Sequence, residues 1–191
     1  MSSIHILRPA LEIRAGTSAR AHILEHGLQP GDVAILPGAA GGPKALGIQG
    51  LDLALFGDWL PRAPRVRTLI GASIGSWRFA SACLPDPVAG LKRLGELYTD
   101  LRFVRKASIA DITLGCERML ADLLQDQDDA ILGNMHYRLT VMVVRSQGLL
   151  AGEHRLRVAL GLGSVIASNL VSRSGLSRHF ERIVLHDPRQ T

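Results

Sequence analysis

A serine flanked by two glycines is the residue pattern with the clearest chemical meaning in this chain. Gly71, Ser73 and Gly75 form the pattern G-x-S-x-G, which is typical of a nucleophile elbow, where a strand, a sharp turn and a helix follow one another. The turn lifts the serine hydroxyl out of the sheet, and the small flanking residues let strand and helix pass close together. The helix N-terminus favours negative charge on an oxyanion. The pattern predicts a nucleophilic Ser73; the alternative is a plain turn in which Ser73 caps the helix.

A second segment, residues 37–47, consists mainly of small residues and follows an earlier apolar run. Small side chains let backbone N–H groups point into a site, so the amides of Gly41 and Gly42 predict an oxyanion hole. A phosphate-binding loop is disfavoured, because Pro43 replaces the second glycine of the Walker pattern and Ala45 replaces its Ser/Thr. The dinucleotide pattern G-x-G-x-x-G is absent. A flexible turn without function is the other alternative.

Both motifs need strands to position them, and the chain alternates strand-like and helix-like segments. The strand-like runs are residues 32–36, 66–70, 137–144 and 182–185. The helix-like runs are residues 18–26, 46–59, 76–84, 87–100, 109–124 and 158–171. Ser18 is the predicted N-cap of the first run, Asp86 is that of the fourth, and Ser108 with Asp111 resembles a capping box at the fifth. This alternation predicts an α/β fold, a three-layer α/β/α arrangement with a mainly parallel central sheet. Residues 158–171 are rich in Gly, Ala and Ser, so we expect a buried helix that packs closely on that sheet.

Composition limits the class of protein. The 191 residues, 47% of them apolar, suit a single domain over residues 1–191. Cys83 and Cys116 lie far apart and form no disulfide framework or zinc motif, which favours a reduced, cytoplasmic protein. The N-terminus has no continuous apolar region of a secretory signal. Residues 158–171 are too short and too polar to predict a membrane span.

The formal charge of +5 allows attraction to nucleic acid or to an anionic membrane. The basic residues are scattered, with the densest group at Arg102, Arg105 and Lys106, so an ordinary solvated surface is favoured. We predict no nucleic-acid partner; the sequence does not indicate an oligomeric state.

The two motifs together resemble the patatin-like phospholipase family, over the chain from residue 33 onward. That family has a loop G-G-G-x-[RK]-G followed by G-x-S-x-G; residues 41–44 match the middle of the loop and residues 71–75 match the elbow fully. Residues 55–60 and 76–80 look like a bacterial subgroup. The resemblance implies a lipid acyl hydrolase with a Ser–Asp dyad, in which Ser73 attacks an ester and the Gly41 and Gly42 amides hold the oxyanion. Lys44 would orient the loop; alternatively it is a solvated lysine at a helix start.

The resemblance also implies a lipid or other ester substrate, peripheral contact with a membrane surface, and no metal or organic cofactor. One departure is serious: the family places its catalytic Asp in D-G-[GA], and this chain has no Asp-Gly pair. We therefore expect a patatin-like domain that is incomplete at its C-terminus, with part of the sheet's apolar surface uncovered. Asp187 and His186 are two alternative bases. A non-catalytic lipid- or partner-binding remnant of the same fold is the alternative function.

Overall fold

A four-stranded sheet organises the computed structural model, which describes residues 11–104, 107–152 and 154–190. The strands, side by side in chain order, are β1 (Ile35–Gly38), β2 (Arg67–Ala72), β3 (Tyr137–Ser146) and β4 (Phe180–His186). β1 with β2 and β2 with β3 pair in parallel, whereas β4 runs antiparallel to β3. The prediction of an α/β fold with a mainly parallel sheet is confirmed.

Seven α-helices lie within the described ranges. They are α1 (Thr17–His26), α2 (Gln49–Ala54), α3 (Ile74–Ala82), α4 (Pro87–Asp100), α5 (Ile109–Leu124), α6 (Asp128–Gly133) and α7 (Arg155–Val171). The single helix predicted over residues 46–59 is instead a 3₁₀ segment (Gly42–Ile48), α2, and a π-helical turn (Leu55–Trp59). Side-chain periodicity does not distinguish these helix types, because they differ by less than one residue per turn on either side.

Local signals fixed the start of two helices. Asp86 accepts a hydrogen bond from the Ala89 amide at the start of α4, and Ser108 and Asp111 form a reciprocal capping box at the start of α5, as predicted. The predicted cap at Ser18 is wrong: α1 begins one residue earlier, after Gly16, and no side chain caps it.

The core lies between one face of the sheet and α3. Residues of β2 alternate between buried and half-buried, with Leu69 fully buried, so the two faces of this strand are covered unequally. α3 packs on β1, β2 and β3, and α4 and α5 pack against α3. Phe56 and Phe79 meet edge to face in this core, with ring centroids 6.2 Å apart, an arrangement favourable for aromatic pairs. A helical layer on the second face stays a prediction.

The expectation that residues 158–171 form a buried helix is wrong, because α7 is largely exposed. Its Leu170 and Val171 side chains are 82% and 89% exposed, and its main contacts are two 3₁₀ segments, Gly148–Ala151 and Arg173–Arg178, instead of the sheet. The Gln147 amide donates to the His179 carbonyl, 2.8 Å, and this hydrogen bond joins the two ends of the segment between β3 and β4 that contains α7. No helix among the described residues has the length and apolarity needed to cross a membrane.

Candidate active site

Ser73 occupies a strained turn between β2 and α3. Its backbone angles, φ 53° and ψ −129°, lie in a region that non-glycine residues rarely adopt. The side chain is exposed and makes no capping bond to α3, so the alternative role of Ser73 as a helix cap is wrong. The Ser76 amide donates to the Ser73 carbonyl, 2.8 Å, which begins α3 directly at the serine. The turn therefore presents a hydroxyl to solvent at a helix N-terminus.

Gly71 and Gly75 are required by sterics. A methyl group at Gly71 would lie 2.5 Å from the backbone nitrogen of Ser76, and one at Gly75 would lie 2.2 Å from the carbonyl oxygen of Gly38. Both distances are shorter than real Cβ contacts, and the obstructing atoms are backbone atoms that cannot rotate away. The motif glycines thus let α3 start against the end of β2 and against the end of β1.

The Gly-rich turn leaves the sheet beside the elbow. Gly38 at the end of β1 is level with Gly71 in β2, and because the strands are parallel both connections emerge at the same edge. Gly42 has a positive φ of 54°, which glycine adopts without strain. The predicted Gly41–Gly42 turn and Ser73 therefore lie at one edge of the sheet, joined through the contact between Gly38 and Gly75.

Lys44 contributes to this turn through its backbone. Its amide donates to the carbonyl of Gly41, 3.3 Å, while its side chain is exposed. The hydrogen bond closes the turn at Gly41 and occupies the Lys44 amide. Tyr98 of α4 lies on the other side, with its hydroxyl 3.7 Å from where a methyl group on Gly42 would stand, and its ring centroid lies 6.0 Å from that of Trp77 in α3.

A buried ion pair links the helices that follow the two motifs. Arg78 of α3 donates to both carboxylate oxygens of Asp52 in α2, at 2.6 and 2.5 Å, and these side chains are 12% and 4% exposed. Two parallel bonds fix the relative orientation of the partners more strongly than one. Sequence reasoning missed this pair. The available signal was a charged residue within each of two apolar helical runs.

A cavity of about 510 Å³ lies beside the Gly-rich turn. Gly41, Lys44 and the Asp52–Arg78 pair contribute to its wall, and most of the remaining lining is apolar: Ile35, Leu36, Ile48, Leu51, Leu55 and Phe79. Ser73 is not among the lining residues. The structure thus joins the turn to an apolar cavity and leaves the serine outside it.

Ser76 places a buried hydroxyl close to the elbow. Its hydroxyl is buried and has no hydrogen-bond partner among the described residues. Such groups are rare in folded proteins because burial without a partner costs free energy. It lies one turn of α3 after Ser73.

The two alternative bases at the end of the chain lie at the wrong edge of the sheet. The Asp187 amide donates to the Leu139 carbonyl, and Leu139 is level with Leu69 in β2. Ser73 lies four residues further along, which is about 13 Å in a strand, and two strands away, which adds about 10 Å sideways. Because β4 is antiparallel, it carries His186 and Asp187 away from the elbow. Neither serves as base for Ser73 in this arrangement.

Asp187 has a structural role instead. It is 3% exposed and receives bonds from Arg189 at 2.6 and 2.9 Å. These hydrogen bonds lower the pKa of the Asp187 carboxyl to about 2. Arg189 also donates to the Asn134 carbonyl, 3.1 Å, which attaches the segment after β4 to the turn before β3.

The chain was compared with protein-family models, with curated proteins and with solved structures, and none of them matches it.

Proposed function

We propose that this protein is a serine acyl hydrolase of patatin-like type, with helical layers on both faces of the sheet, that acts on lipid or other carboxylic esters. The observation that carries the proposal is the strained and exposed conformation of Ser73, φ 53° and ψ −129°. Strain of this kind costs about 1–3 kcal/mol and clusters at functional sites. A turn without function would gain stability by placing glycine there.

In the proposed reaction, Ser73 Oγ attacks the carbonyl carbon of the ester while a base accepts the hydroxyl proton. Backbone amides of the Gly41–Gly42 turn, together with the amide of Ile74 at the start of α3, stabilise the oxyanion that forms. Collapse of this intermediate expels the alcohol, which takes up a proton, and leaves the acyl group on Ser73. Water then attacks the acyl-enzyme, releases the carboxylic acid and restores the hydroxyl.

The reaction needs a base that accepts the Ser73 proton. With no Asp-Gly pair in the chain and with Asp187 at the opposite edge, neither the family's motif nor Asp187 supplies the dyad partner that the family resemblance implies. A serine without its base retains only residual catalysis from binding and the oxyanion hole. We therefore propose that Ser73 forms the covalent intermediate slowly and that turnover is slower still.

An active-serine fluorophosphonate probe tests the assignment, because it reacts irreversibly and does not require turnover. We expect time-dependent labelling of the chain and at least a hundredfold loss of labelling in Ser73→Ala. Ser177→Ala is the matched control, since Ser177 is also an exposed serine, and it should label like the original chain. Labelling that survives Ser73→Ala would end the proposal.

A second candidate is a non-catalytic lipid-binding remnant of the same fold. The specific observation is the apolar cavity beside the Gly-rich turn, which Ser73 does not line. This candidate predicts that a fluorescent fatty acid binds equally to the original chain and to Ser73→Ala, and that no probe labelling occurs. Filling the cavity with Ile48→Trp should then weaken binding, whereas Leu24→Trp on the exposed helix α1, which contributes no residue to the cavity wall, should not.

A further inference from the structure

The connection between β3 and β4 leaves the sheet at the edge that carries Ser73. We call residues 147–179 the tip segment. It contains α7 and the 3₁₀ segments on either side of it, Gly148–Ala151 and Arg173–Arg178. Met142 in β3 is level with Ala72, and β3 continues to Ser146. Four further residues of strand extend about 13 Å. The tip segment therefore projects beyond the elbow in the direction in which β2 delivers Ser73.

α7 turns its apolar residues outward. Its inner face, formed by Val158, Gly161, Val165 and Ser168, is buried or half-buried, and a methyl group on Gly161 would overlap Leu150. The opposite face carries six exposed aliphatic side chains, each at least half exposed: Leu156, Leu160, Leu162, Ile166, Leu170 and Val171. A surface helix of a globular protein normally shows the reverse arrangement. Exposed apolar patches of this kind mark interaction sites.

Charge identifies the chemistry of the occupant. Residues 137–190 contain eight arginines and three acidic residues, whereas residues 1–136 contain fourteen basic and fourteen acidic residues. The entire formal charge of +5 thus belongs to the last part of the chain. The tip segment itself contains four arginines and one glutamate, and Arg157 and Arg178 are exposed there. A second copy presenting the same positive face would be repelled, while an anionic surface would be attracted.

We propose that the tip segment docks on an anionic phospholipid surface, with the outward face of α7 in the interfacial region and the arginines among the headgroups. Apolar burial and basic residues near anionic lipid together drive binding of helices that lie in the interface. If the proposed function of Ser73 holds, the docked orientation brings the elbow edge to the surface that holds its ester substrate. The docking itself depends only on α7 and on the arginines of the tip segment.

The test is flotation of the full-length Ser73→Ala variant with phosphatidylcholine vesicles, with and without 30% phosphatidylglycerol. We expect the anionic vesicles to bind at least tenfold more tightly, and 0.5 M salt to weaken that binding, because screening shortens the range of charge attraction. The double variant Leu160→Asp/Ile166→Asp should bind at least tenfold more weakly, since burying one such side chain is worth about tenfold or more. Leu24→Asp, at another exposed helical leucine, should bind unchanged.

Several results would overturn the docking. They are absence of binding, equal binding to neutral and anionic vesicles, and unchanged binding of the double variant. A change from dimer to monomer in the double variant, with vesicle binding intact, would assign the face to a second copy. Equally tight binding of a DNA duplex that the double variant retains would assign the charge to nucleic acid. Because Ser73→Ala is used throughout, these outcomes are independent of the probe labelling that tests the hydrolase.

Discussion

Glycines near Ser73 and the open glycines of the tip segment meet opposite surroundings, although Gly161 on the inner face of α7 is as crowded as the former. Methyl groups on Gly38, Gly71 and Gly75 would overlap other atoms by large margins, whereas nothing lies within 4 Å of such a group on Gly152 or Gly163. Leucines show the same contrast between the regions: Leu60 and Leu69 are fully buried, while the leucines on the outward face of α7 are exposed. The contrast teaches that the elbow tolerates no added side chain at these glycines, and that the outward leucines of α7 add nothing to the core.

The largest effect should come from adding a methyl group to a glycine in each of the two regions. Gly75→Ala places a Cβ against the carbonyl oxygens of Gly38 and Ala39, and we expect it to lower the free energy of unfolding by about 3 kcal/mol. Gly163→Ala, in the open interior of α7, should raise it by up to about 1 kcal/mol through helix propensity. Urea unfolding of both variants measures the difference. Changes of the same sign would break the comparison.

The next prediction compares a buried ion pair near the elbow with an exposed ion pair in the sheet. Arg78→Ala leaves the Asp52 carboxylate buried without its partner, and we expect a loss of about 3 kcal/mol in the free energy of unfolding. Arg145→Ala is the matched control in β3, because Arg145 pairs with Glu181 at an exposed site, with side chains 67% and 44% exposed; its loss should stay below about 1 kcal/mol. Thermal and urea unfolding measure the stability of both variants. Equal losses in Arg78→Ala and Arg145→Ala would contradict the contrast between the regions.

Acid should weaken the anchor of the last strand. The Arg189 hydrogen bonds lower the pKa of Asp187 from 3.8 to about 2, so the stabilisation is fully present above pH 4 and is lost as the pH falls from about 4 through 2. Asp187→Asn should remove this part of the pH dependence. Urea midpoints at pH 5 and pH 2.5 measure it, and an identical acid response in both proteins would argue against the assignment.

The smallest effect concerns the strained serine. Ser73→Gly should be more stable than Ser73→Ala by about 1 kcal/mol, because glycine adopts φ 53° without steric cost. Glycine normally destabilises a position relative to alanine, so the sign is diagnostic. Both variants should lose probe labelling. If the alanine variant is the more stable one under thermal unfolding, the strain at the elbow is absent in solution.

The sequence predicted the local features and failed on those that depend on distant partners. Strand β2, the turn at Ser73 and the caps at Asp86 and Ser108 follow from short patterns whose physics is local. The burial of α7 was wrong, because apolar composition shows that a helix has an apolar face and does not show what covers it. Helix propensity likewise hides the change from 3₁₀ to α to π over residues 42–59.

Strand direction is the other feature that the sequence did not predict. His186 and Asp187 follow a strand in the sequence, as a catalytic residue would, but the sequence does not state that this strand runs antiparallel and ends at the far edge. The Asp52–Arg78 pair escaped for a similar reason, since its members are 26 residues apart. Local patterns therefore predict where a hydroxyl is held, whereas the supports around it require the three-dimensional structure.

The closed base of the tip segment has a practical consequence for protein engineering. Gln147 and His179 are hydrogen-bonded neighbours, so the two ends of the excursion stand about 5 Å apart. We expect that an Asn-Gly turn, the usual connection of a two-residue hairpin, can replace residues 148–178 while Thr140 stays opposite His186. A different helix, an epitope or a sensor peptide should then be accepted at the same position between β3 and β4.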